Sequence, residues 1–228
     1  MTGLSLRFAL TACLVALATS CASTGTGSGA ATAPADGSRE DARAGAATSS
    51  HTGADVAFMR GMIHHHAQAV VMARMVPDRA ASPAVRRLAA RILNSQKTEI
   101  ALMADWLRDR GEPVPGLAAA AADPTAAGLP PEEGWDAGPD MPGILSDAQM
   151  ERLEAAEGDA FDRLFLTYMI EHHEGAVTMV DELVAAPGAA REESVFRLAS
   201  GIRADQSTEI DRMRSMLRAS MFGDGGLR

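Results

Sequence analysis

Aromatic residues make up only 4% of this 228-residue chain, which has two Trp, one Tyr and six Phe. Sheet cores draw heavily on aromatic and β-branched side chains, so this scarcity points away from an all-β fold. Apolar residues still reach 46%. They are mostly Ala, Leu, Val, Ile and Met, which suits helices that meet through small contact faces. Cysteine is nearly absent too, with only Cys13 and Cys21. A chain processed at Cys21 keeps one thiol and can form no internal disulfide. Basic residues are in the minority, 21 Lys and Arg against 30 Asp and Glu, for a formal net charge of -9. Phosphate backbones are bound by basic faces, so no nucleic-acid partner is expected. A membrane-spanning helix needs about 20 apolar residues, and the run Phe8–Thr19 offers about 12.

That short run follows Arg7 and ends in Leu17-Ala18-Thr19-Ser20-Cys21, the layout of an export signal. It resembles a bacterial lipoprotein signal in which Cys21 becomes the lipidated first residue. Ala18 stands where Leu is usual, and Leu10-Thr11-Ala12-Cys13 is the alternative, with few apolar residues before it. The expectation is a lipoprotein signal over 1–21, lipidation at Cys21, and a protein held by its lipid on the outer face of the cell membrane. Residues 22–52 are mostly Ala, Gly, Ser and Thr. They cannot bury enough apolar surface to offset ordering, and read as a flexible tether with a reach of roughly 30 Å.

Residues 53–222 contain an internal repeat. Met62-Ile63-His64-His65-His66-Ala67-Gln68-Ala69-Val70-Val71-Met72 returns 107 residues later as Met169-Ile170-Glu171-His172-His173-Glu174-Gly175-Ala176-Val177-Thr178-Met179, with Asp55/Asp162 and Phe58/Phe165 in register. Leu88, Ile92, Gln96, Glu99, Ile100, Met103 and Leu107 return 110 residues later as Leu198, Ile202, Gln206, Glu209, Ile210, Met213 and Leu217. Both sets have helical spacing. Helices are predicted over about 54–75, 83–110, 159–185 and 191–220, with reversals at Val76-Pro77-Asp78 and Ala186-Pro187-Gly188. Ser82-Pro83 makes a good helix start. The prediction is an all-α, antiparallel four-helix bundle built from two repeated helical hairpins. The connection over 111–145 is long for a bundle and should cross it or loop over its surface. Ser146-Asp147-Ala148-Gln149 reads as a capping box opening a short helix.

Five of the six histidines lie in the repeated motif. Met62 and Met169 stand three and four residues before the two histidines of their half, which puts thioether and imidazole on one helical face. Met72 and Met179 lie two turns further along it. The candidate metal ligands are therefore Met62, His65, His66, Met72, Met169, His172, His173 and Met179. Methionine as plain core filler is the ordinary alternative, but recurrence of both type and spacing favours ligation. His64, whose mate is Glu171, faces away and reads as solvated; His51 falls in the tether. Gln96, Glu99, Gln206 and Glu209 interrupt apolar faces level with the histidines. Either they hold the second ring nitrogen of a histidine, or Glu99 and Glu209 sit at the stripe's edge and reach water. Asp55 and Asp162 read as structural groups near helix starts. A di-iron bundle would need Glu-x-x-His; here Met62 and Met169 occupy the Glu position. Soft thioether favours Cu(I) over iron or manganese.

With these motifs, over about residues 53–222, the chain resembles the family of bacterial proteins known as DUF305. The resemblance implies a ferritin-like four-helix bundle, usually exported, with copper or silver bound by some members. The leading expectation is an extracytoplasmic, lipid-anchored protein that sequesters or transfers copper-type ions, with metal ions, a delivery protein or a second copy as partners. A ferritin-like redox enzyme and a metal-free, partner-binding bundle are the alternatives. Two local departures stand out: the first half has no counterpart to the short helix near 146–156, and Gly61 is unusual inside a helix.

Overall fold

The computed structural model describes residues 51–116, 118 and 141–222. The expected signal, Cys21 and nearly all of the expected tether lie outside the described residues, as do 119–140 of the long connection. Three of the helices open on a capping side chain. Thr52 accepts the Asp55 backbone N–H, and Asp55 returns a bond to the Thr52 backbone, closing a capping box at the head of α1 (Gly53–Arg79). Ser82 caps α2 (Pro83–Asp109), with Pro83 in the first turn. Ser146 and Gln149 form the expected box at α3 (Asp147–Ala155). α4 (Gly158–Ala185) and α5 (Glu193–Phe222) make the second hairpin. No strand occurs among the described residues.

Two expected boundaries shift. α1 does not stop before Pro77 but carries it inside the last turn and runs on to Arg79. Proline removes one helical bond; so near the end the loss is small, and the Ala80 N–H closes the turn on the Val76 carbonyl at 3.0 Å. At the other end, His51 belongs to the fold rather than to a tether, because its ring meets Trp106 edge-on with centroids 5.3 Å apart.

α1 packs on α2 and α4 on α5, and the hairpins join through α1 and α4, with α3 against both. α2 and α5 stand apart across a groove, which leaves the fourth side of the bundle open. The joint is clasped at both ends. Asp55 accepts the backbone N–H of Ala190 at 2.7 Å, and Asp162 accepts that of Ser82, also at 2.7 Å. Each aspartate at the start of one hairpin thus holds the turn of the other, the structural role the sequence suggested. The core forms two clusters. One contains Phe58, Met62, Ile63, Met103 and Met179, the other Met72, Leu88, Phe161, Phe165 and Met169.

Candidate metal centre

α1 and α4 carry the repeated motif to the point where they cross. His65, His66, His172 and His173 are all fully buried there. The rings of His65 and His172, one from each hairpin, lie 3.8 Å apart between centroids with planes inclined by 42°. His66 and His173 flank them at ring distances of 6.4 and 6.2 Å.

The outer nitrogen of every ring is held. His66 Nε2 donates to Glu99 Oε2 at 2.6 Å, and His173 Nε2 to Glu209 Oε2 at 2.7 Å. His65 Nε2 donates to the Pro142 carbonyl and His172 Nε2 to the His65 carbonyl, each at 3.0 Å. Such acceptors put the proton on Nε2 and leave Nδ1 as a lone-pair donor. All four Nδ1 atoms are buried with no hydrogen-bond partner among the described residues. Buried polar atoms are normally satisfied, and four equivalent exceptions in one layer require a common cause. Glu99 and Glu209 therefore hold histidines rather than reaching past them to water. Gln96 and Gln206, equally buried, have unpartnered amide atoms instead. His64 is half-buried rather than solvated.

Burial is the first cause of the low pKa of three rings. It pushes His65 and His172 well below the ordinary value of 6.5, assisted by neighbouring histidines, and lowers His173 against the pull of Glu209. These rings take up protons more readily in the unfolded chain than in the folded one. Stability of the metal-free protein is therefore complete above about pH 6.5 and falls as pH drops through that value toward the lowered folded values. Urea unfolding from about pH 8 to about pH 5 should show a falling midpoint, and a flat or rising one contradicts the burial of neutral imidazoles.

The methionines do not divide by half as the sequence suggested. Met62 shares a core cluster with Met179, and Met169 shares the other with Met72. Each cluster thus pairs the motif methionine of one hairpin with the distal methionine of the other. Gly61 fits this arrangement: a Cβ there would lie 3.2 Å from the Met179 methyl carbon. Among the described residues, no three His, Cys, Asp or Glu side chains converge as a ligand set. Any ion these imidazoles could hold would have low coordination or add thioether sulfur.

One element of the centre was not apparent from its sequence. Residues 141–145 lie as a strap against α1 and α4. Gln68 grips it twice, donating to the Leu145 carbonyl and accepting the Leu145 N–H, both at 2.9 Å. Gly175, the repeat mate of Gln68, makes room for it, since a Cβ there would lie 2.1 Å from the Pro142 oxygen. Gly143 sits at φ +74, where a Cβ would lie 2.7 Å from the Glu171 carbonyl. The only signal in the sequence was that the repeat breaks at Gln68 and Gly175.

The family described as Domain of unknown function (DUF305) matches residues 55–217. The chain is a member of the DUF305 family. It is 33% identical to a DUF305 protein from Streptomyces coelicolor that is inferred to be secreted, at a TM-score of 0.58, covering 72% of this chain and 92% of that one. A DUF305 fragment from Deinococcus radiodurans shows 30% identity and a TM-score of 0.58, over 73% of this chain and 97% of that one. CopM in its Cu(I)-bound form shows 28% identity and a TM-score of 0.53, over 72% and 95%; its Ag-bound form is similar at 27% and 0.52. No curated protein matches. No helix among the described residues of this DUF305 chain is long and apolar enough to cross a membrane.

Proposed function

We propose that this DUF305 protein binds Cu(I), and Ag(I) as its chemical mimic, in the imidazole layer between its hairpins, and that it sequesters or hands on that ion outside the cytoplasm. One observation carries the reading: four buried histidines each commit Nε2 to a protein acceptor and leave Nδ1 without one. Metal-bound histidine is held in this way, with the far nitrogen fixed by a carboxylate or carbonyl. His65, His66, His172 and His173 supply the nitrogen donors, Met62 and Met169 the nearest thioethers along each helix, and Met72 and Met179 the outer ones. Glu99 and Glu209 orient two of the rings. The Cu(I)- and Ag-bound forms of CopM support the choice of ion. Hard cations such as Mg or Ca would require oxygen ligands.

The test is competition between ions under reducing conditions. Met62→Leu combined with Met169→Leu should weaken Cu(I) and Ag(I) by about tenfold while leaving Zn(II) within about twofold, because zinc gains little from thioether. Equal losses for all three ions would remove sulfur from the site. Anchoring belongs to the same reading. Mass spectrometry of the membrane fraction should find a diacylglyceryl group on Cys21, whereas a mature chain that begins elsewhere and stays soluble would end that part of the proposal.

A further inference from the structure

α2 and α5 bound a groove of about 770 Å³ on the open side of the bundle. Much of its wall is apolar, including Leu102, Trp106, Leu198 and Ile202, but Glu99 and Asp205 share the same lining. Glu99 reaches inward from the groove to His66, and Glu209, one turn beyond Asp205 on α5, reaches inward to His173. Burial raises the Asp205 carboxyl above its ordinary range, and Glu99 and Glu209 then raise it further. The repeat mate of Asp205 is Ser95, so this acid marks one wall only. Arg197, also in the lining, is paired with Glu193 at 2.9 Å. Behind the carboxylates lie the unpartnered Nδ1 atoms of His66 and His173, both fully buried, and the unpartnered amide atoms of Gln96 and Gln206, each 1% exposed.

We propose that this groove is the path by which the soft monovalent cation reaches and leaves the imidazole layer, with Asp205 and Glu99 as its acidic mouth. The inference rests on the metal-binding reading above. Carboxylates of one sign between low-dielectric walls focus the field and raise the local cation concentration, which speeds association by about 10–10³-fold in steered systems. Glu99 both lines the groove and holds the His66 ring, so an ion can exchange water for carboxylate oxygen and then for imidazole nitrogen without crossing an apolar layer bare.

Rates of loading and release separate this path from the site itself. Ag(I), supplied as nitrate to the full chain, is the probe, with a competing thiolate to draw it off. Asp205→Asn should slow loading by roughly threefold to tenfold at low ionic strength, leave release unchanged, and lose its effect at high salt. Glu154→Gln, the same charge loss at an exposed position of α3, should change loading less than about twofold. Gly201 lines the groove, and a Cβ there meets nothing within 4 Å. Gly201→Trp should therefore obstruct the path, slowing loading and release by the same factor with affinity unchanged; Gly201→Leu should do so more weakly. Ag(I) uptake at the wild-type rate in Gly201→Trp and Gly201→Leu, or equal slowing by Asp205→Asn and Glu154→Gln, overturns the path alone. A wild-type chain that takes up no Ag(I) overturns the metal-binding reading and the path with it.

Discussion

Replacing His65, His66, His172 and His173 together should abolish saturable binding of Cu(I) and Ag(I). The four rings supply the unpartnered Nδ1 atoms of the proposed site, and the flanking thioethers alone lack the nitrogen donors that site requires. Circular dichroism of the variant separates a lost site from a lost fold. Milder changes should grade the effect. Glu99→Gln and Glu209→Gln leave the rings in place but weaken the hold on two of them, and changes of that kind typically reduce affinity by about 10–100-fold. Isothermal titration with a competing chelator reads both. Full-stoichiometry copper binding by the quadruple variant would place the site elsewhere.

Gly175→Ala should destabilise the protein by about 2–4 kcal/mol. Inside a helix, alanine normally improves on glycine by about 1 kcal/mol, so the expected sign is reversed. The cause is backbone crowding: the added Cβ would lie 2.1 Å from the Pro142 oxygen, 2.4 Å from its carbonyl carbon and 2.6 Å from Gly143 Cα. None of these is the yielding end of a side chain. Either α4 shifts or the strap is displaced, and displacement would leave His65 Nε2 buried without the Pro142 carbonyl. The melting temperature should fall by about 5–15 °C, and protease should cut more readily near 141–145. Gly201→Ala is the internal control, because its Cβ meets nothing within 4 Å and the ordinary gain should appear. A Gly175→Ala melt at or above wild type would contradict the packing of the strap.

The helices and the histidines that the fold gathers at their crossing were legible because both have a period. Apolar residues at helical spacing placed four of the five helices within a few residues, and the repeat singled out His65, His66, His172 and His173 together with Glu99 and Glu209. What a repeat states is equivalence, not partnership. It could not show that His65 meets His172, or that Met62 shares a cluster with Met179 rather than with Met72. The strap escaped because Met141-Pro142-Gly143 has no period and the segment is held through its own backbone groups, which every sequence supplies. Pro77 misled because a proline in the last turn of a helix loses only a bond that is already near its end.

The order in which these contacts become available follows from their separation along the chain. His66 meets Glu99 across 33 residues and His173 meets Glu209 across 36, so each hairpin can secure one imidazole through its own short loop. The bond from His172 to the His65 carbonyl spans 107 residues, and the clasps at Asp162 and Asp55 span 80 and 135. Local contacts form early, and distant ones wait for the entropy of loop closure to be overcome. By that ordering the two halves should form as hairpins with their outer rings set first, and the central pair should be completed on docking. An ion bound at the proposed site would stabilise the docked state over the separate hairpins by its affinity for the completed layer.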